Sequence, residues 1–131
     1  MRRYLVLAVA IVSLAAGARA FAHHSFAATY LEDQSVTIEG QLVQFLLRNP
    51  HSFVHVMVKE ADGSTARYVV EWGSPSQLSG RVSRDTLKPG DHVIISGNPG
   101  RNPADHRVRL LTFRRPKDGW SWGILGDETF N

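Results

Sequence analysis

Val36, Ile38 and Leu42 alternate with Thr37, Glu39 and Gln41, the period of two that places one face of a β-strand in a core and the other in water. Gly40 interrupts this strand, as a bulge or a sharp bend would. Arg48-Asn49-Pro50 ends it, and a second strand follows in which Val54, Val56 and Val58 form the core face while His51, Phe53, His55 and Met57 share the other. Asp62-Gly63 predicts a hairpin turn, because both residues tolerate positive φ. The returning strand, Ala66 to Trp72, carries Tyr68, Val70 and Trp72 on one face.

Ser74 followed by Pro75 has the form of a helix N-cap with proline in the first turn, so one short helix is expected from Pro75 to about Arg81. Leu87-Lys88-Pro89-Gly90-Asp91 then makes a turn. A fourth strand centres on Val93 and Ile95 and ends at Gly97, and a fifth runs from about His106 to Phe113 before Pro116 stops it. Three strands, a short helix and two more strands, with a glycine bending the first, is the order of a small five-stranded OB-like barrel, a pattern other small barrels and sandwiches share in part. The chain is expected to be mostly β.

The remainder of the chain divides around this domain. Arg2 and Arg3 precede an apolar run from Tyr4 to Ala16 that Gly17 and small residues close, which is the form of a secretory signal peptide. The run is shorter than the roughly 20 residues a membrane-spanning helix needs. Cleavage after Ala20 would leave Phe21 first; cleavage after Ala22, the favoured site, would leave His23 first. The expected organisation is a signal peptide over 1–22, an N-terminal arm over 23–35, the OB-like domain over 36–115 and a tail over 116–131 whose Trp120 and Trp122 show no sustained period. The mature product is expected to be soluble and periplasmic or secreted, with no membrane span.

Processing changes the charge. Arg2, Arg3 and Arg19 leave with the signal and no acidic residue does, so the mature chain keeps twelve basic and twelve acidic residues. Its net charge is zero, which removes the support the precursor's basic balance would give to nucleic-acid or anionic-membrane binding. A local basic cluster survives at Arg107, Arg109, Arg114, Arg115 and Lys117. There is no cysteine, hence no disulfide, thiolate ligand or thiol nucleophile.

The mature terminus is the most suggestive chemistry. With His23 first, its amine and ring can chelate one ion while another imidazole completes the site. With Phe21 first, histidine stands third, and amine, two amides and imidazole make a square-planar set. Both suit copper(II) or nickel(II). His51 and His55 lie roughly 13 Å apart along one strand and cannot share an ion. His51 either bonds nearby backbone after Asn49-Pro50 or meets His23 or His24 if the arm folds back. His55, His92 and His106 read as surface positions. Glu71, between Val70 and Trp72, either faces a pocket or points to solvent or an arginine. No nucleophile elbow, triad spacing or phosphate loop stands out, so no catalytic residue is assigned.

His23-His24-Ser25-Phe26, Asn49-Pro50-His51, Val70-Glu71-Trp72-Gly73-Ser74-Pro75 and Leu87-Lys88-Pro89-Gly90-Asp91 occur in one order, and together they resemble an uncharacterised family of small exported bacterial proteins. The resemblance covers about Ala22 to Phe113. It implies an exported β-barrel-like domain and no reaction, and places His23, His24, His51, Glu71 and Trp72 inside recurring motifs. His55 and Met57, where the family pattern has an aromatic and a polar residue, depart from it. The sequence therefore points to a non-enzymatic binding domain with a copper-type ion at His23, His24 and His51. The rival is a metal-free interaction module or accessory subunit, whose groove at Phe53, Glu71 and Trp72, or whose exposed tail tryptophans, take a protein or small ligand.

Overall fold

The computed structural model describes residues 1, 26–78 and 80–123. The apolar run, both cleavage sites, His23, His24 and residues 124–131 lie outside the described residues. Among the described residues no helix is long and apolar enough to cross a membrane.

The elements are β1 (Val36–Leu46), β2 (Ser52–Lys59), β3 (Thr65–Trp72), α1 (Pro75–Leu78), β4 (His92–Pro99), β5 (Arg107–Arg115) and β6 (Trp120–Trp122). β1 pairs antiparallel with both β2 and β4, β2 with β3, and β4 with β5. A parallel contact of β3 with β5 closes the ring, setting Val69, Val70 and Glu71 opposite Arg107, Val108 and Arg109. The fold is the expected five-stranded OB-like barrel with a short helix between β3 and β4. β6 pairs with β5 outside the ring.

β1 can serve two neighbours because it bends where they hand over. Residues 36–41 pair with β4 and residues 40–46 with β2, so Gly40 and Gln41 are flanked on both sides. A Cβ on Gly40 would lie 2.0 Å from the Met57 carbonyl oxygen, so only glycine admits this approach. The bulge itself sits three residues on, between Leu42 and Gln44. There Val43 is turned out, 40% exposed, and Phe45 returns to the core against Trp72 at 6.1 Å. β5 slips phase in the same way opposite Ser96 and Gly97, which exposes Leu111 and sends Phe113 inward.

Val54, Val56 and Val58 are buried, as their alternation requires, and with Ile38, Leu42, Val70, Val93, Ile95, Val108 and Leu110 they fill the barrel. Trp72 is fully buried among them, stacked on Phe113 at 5.6 Å and meeting Trp122 edge-on at 5.2 Å. α1 starts as expected at Ser74. The Gln77 side chain accepts the Ser74 N–H at 2.8 Å and the Ser74 hydroxyl accepts the Gln77 N–H at 3.4 Å, a capping box at the start of the turn that carries buried Leu78.

Past Pro116 the chain turns at Gly119 and returns as β6, which brings Trp122 into the core cluster. A buried carboxylate anchors that return. Asp91 accepts the Lys88 N–H and the Arg115 guanidinium, each at 3.0 Å, and pairs with Lys117. Burial opposes its ionisation, but the bonds from Lys117, the Lys88 backbone and Arg115 prevail and hold its carboxyl at about 2. A depressed folded-state value stabilises the protein above the unfolded value near 3.8 and loses that stability as pH falls towards about 2.

Two measurements check these points. Asp91→Asn should remove about 2 kcal/mol at neutral pH in chemical denaturation and flatten the acid-side loss of stability between about pH 4 and about pH 2. Gly40→Ala should destabilise by roughly 3 kcal/mol or more, since backbone rather than a movable side chain meets the new methyl; an unchanged thermal midpoint would refute the close approach.

Candidate functional site

The parallel seam is only three residue pairs long. Successive residues of a strand face opposite ways, so Val70 and Trp72 point inward while Glu71 stands on the outer wall, beside Phe53 of β2 and Arg109 of β5. The N-terminal segment is laid over this wall. A helical turn at residues 26–29 leads to Tyr30, which bridges to Gly100; Leu31 N–H donates to the Pro99 carbonyl and Arg101 N–H to that of Thr29, both at 2.9 Å. Asn98 binds the Gln34 carbonyl at 2.8 Å. Phe26 and Tyr30 are thereby buried.

Glu71 is the meeting point. Its Oε2 accepts the Tyr30 hydroxyl and lies 3.6 Å from Arg107 Nη2, and its Oε1 is 2.5 Å from His51 Nδ1. Donors thus converge from the N-terminal segment, the β1–β2 loop and β5 on a carboxylate that keeps 11% of its side-chain exposure. Burial, then the bond and charge of Glu71, push the Tyr30 phenol well above its usual range. Phe26 stacks on the His51 ring at 5.3 Å, and the Arg109 guanidinium covers the other ring, Phe26, at 4.0 Å while pairing with Glu32 at 2.9 Å.

A carboxylate offers only acceptors, so His51 must donate from Nδ1, and a neutral ring then carries its lone pair on Nε2. That is the tautomer in which a histidine ligates a metal, with the carboxylate fixing its orientation. Among the described residues no three histidine or acidic side chains are grouped to hold an ion.

The chain matches a family of unknown function, DUF6152, over residues 10–109. It belongs to that family. The DUF6152 match spans the whole site, from Phe26 to Arg109, and the barrel from β1 to the start of β5. No curated protein matches the chain.

The predicted site residues divide. His51 and Glu71 come together; His51 is held by this carboxylate rather than by turn backbone, and Glu71 is turned from solvent towards Arg107. Phe53 neighbours Glu71 across the strands, with Arg48 over its ring at 4.9 Å. Trp72 does not belong with them, because strand alternation sends it inward, where it is fully buried; Phe53 and Trp72 line no common groove. Trp122 is likewise core, and Trp120 packs on Phe113 at 5.4 Å, so these tail tryptophans are not an exposed binding pair. His55 accepts from Arg67 at 3.1 Å, and burial, then Arg67 and Arg48, lower its pKa.

Tyr30, Arg107 and Arg109 were not anticipated as site residues. Arg107 and Arg109 alternate with inward Val108 and Leu110, and an OB-like closure sets that strand beside β3, so the arginines were traceable to the Glu71 wall. Tyr30 had no such signal, since nothing in its local pattern says which wall the arm covers. Tyr30→Phe should cost about 1–3 kcal/mol by leaving the carboxylate one donor short; an unchanged denaturation midpoint would show that the phenol contributes nothing to holding the arm.

Proposed function

We propose that this chain is an exported, periplasmic or secreted binding domain that holds a copper-type ion between its mature N-terminus and the barrel, with His23, His24 and His51 as ligands and Glu71 positioning His51. The observation that carries this reading is the His51–Glu71 bond at 2.5 Å beneath Phe26. The bond selects the ligating tautomer. Only Ser25 stands between His24 and Phe26 in the sequence, and two Cα–Cα steps of extended chain reach about 7 Å, so chain length permits His24 to reach the His51 ring. An amine plus imidazole nitrogens, as a terminus starting at His23 would offer, are a donor set suited to copper(II).

A metal-free interaction module is the second reading, favoured by Phe53 with the Arg48 guanidinium over its ring on the same wall as Glu71. On this reading the Glu71 cluster only fastens the arm.

Copper titration of the processed protein separates the two. One copper per chain is expected, weakened about 10- to 100-fold in Glu71→Gln, as loss of an orienting carboxylate does elsewhere, and weakened further in His51→Ala. Equal affinity in wild type and both variants would leave copper on the terminus alone and overturn the shared site; no binding at micromolar copper would favour the interaction module.

A further inference from the structure

Along β4 and β5, buried Val93, Ile95 and Phe113 point inward, which leaves Ile94, Ser96, Thr112 and Arg114 on the outer face of the sheet. The pairing register sets Thr37, Ser96 and Thr112 side by side across β1, β4 and β5, and Ile94, Arg114 and Ser121 side by side in the next row across β4, β5 and β6. These six residues line an open groove of about 640 Å³ beside the β5–β6 turn. Its volume falls in the range of small-molecule sites.

The groove carries one charge. No carboxylate lines it, and Arg114 has neither an ion pair nor a hydrogen bond among the described residues. The other arginines of β5 differ: Arg107 pairs with Glu71, Arg109 with Glu32 and Arg115 with Asp91. Glu39, the carboxylate on the Arg114 row, lies beyond Ile94 and is engaged by His92 at 2.7 Å. A guanidinium offers a planar fork of donors that fits a carboxylate, and a single one balances one negative charge rather than the nearly two of a phosphate monoester.

The rest of the polar lining is hydroxyl. Thr37 and Ser96 bond each other at 2.7 Å, and the hydroxyls of Thr112 and Ser121 have no partner among the described residues. A hydroxyl both donates and accepts, so this lining is answered best by groups that do the same, which are hydroxyls themselves. Three strands spaced at about 4.8 Å make the row about 10 Å long, more than a lone carboxylate or inorganic anion covers. We propose that this face binds an acidic sugar of the hexuronate class, its carboxylate on Arg114, its hydroxyls along Thr37, Ser96, Thr112 and Ser121, and its ring over Ile94. The site shares no residue with the Glu71 cluster and does not depend on the metal reading.

Titration of the isotopically labelled protein with glucuronate, followed by amide NMR shifts, tests it. Saturable shifts are expected at Ser96, Thr112, Arg114 and Ser121. Glucuronamide keeps every hydroxyl and loses the charge, while cyclohexanecarboxylate keeps ring and charge and loses the hydroxyls; each should bind at least about tenfold more weakly. Arg114→Gln should lower glucuronate to the affinity of glucuronamide, and Thr112→Val combined with Ser121→Ala should weaken it about tenfold, with dispersed spectra in both cases because these positions lie on the outer face. Absence of saturable shifts, either analogue or inorganic phosphate binding as tightly as glucuronate, or glucuronate affinity unchanged by Arg114→Gln would overturn the proposal.

Discussion

A carboxylate set into the outer wall of a barrel has to be answered by donors, and in this chain the answer comes from three directions. Glu71 receives the Tyr30 phenol, the His51 imidazole and the nearby Arg107 guanidinium. Each donor belongs to a piece of chain whose position the barrel alone does not fix: the N-terminal segment, the β1–β2 loop and the edge of the short parallel seam. Leaving Glu71 unpaired would be costly at its low exposure. The same requirement therefore lays the arm down, orients the His51 ring and reinforces the closure of β3 on β5.

The order of elements was legible because each strand carries its own signature. The valines of β2, the Asp62-Gly63 turn and the Ser74-Pro75 helix start all depend on neighbours in sequence. Two bulges hid the rest of the pattern: at Val43 and near Leu111 the alternation changes phase, so β1 extends past Leu42 and β5 sends Phe113 inward against its local rhythm. β6 was invisible, since three residues with two tryptophans have no period, and their place is decided by packing on Trp72 and Phe113.

The site was legible in part for the same reason. His51 and Glu71 stood out by motif, but their contact joins residues 20 apart in sequence and depends on a register no local pattern encodes. Trp72 stood out by motif as well and serves the core, because its neighbour Glu71 takes the outward place on the strand. Membership of DUF6152 supplies no activity, so the chemistry has to come from the wall itself: an oriented imidazole, a buried carboxylate and the arm laid over them.

The central claim is that Glu71 fastens the N-terminal segment to the seam. Amide hydrogen exchange in wild type and Glu71→Gln tests it most directly, read at Leu31 and Arg101, whose N–H groups bond across that junction. The account predicts that protection at these two amides collapses in the variant while amides of the β1–β2 ladder keep theirs. Protection unchanged at Leu31 and Arg101 would contradict it, and would mean that the arm is held by its backbone bonds and apolar contacts without the carboxylate.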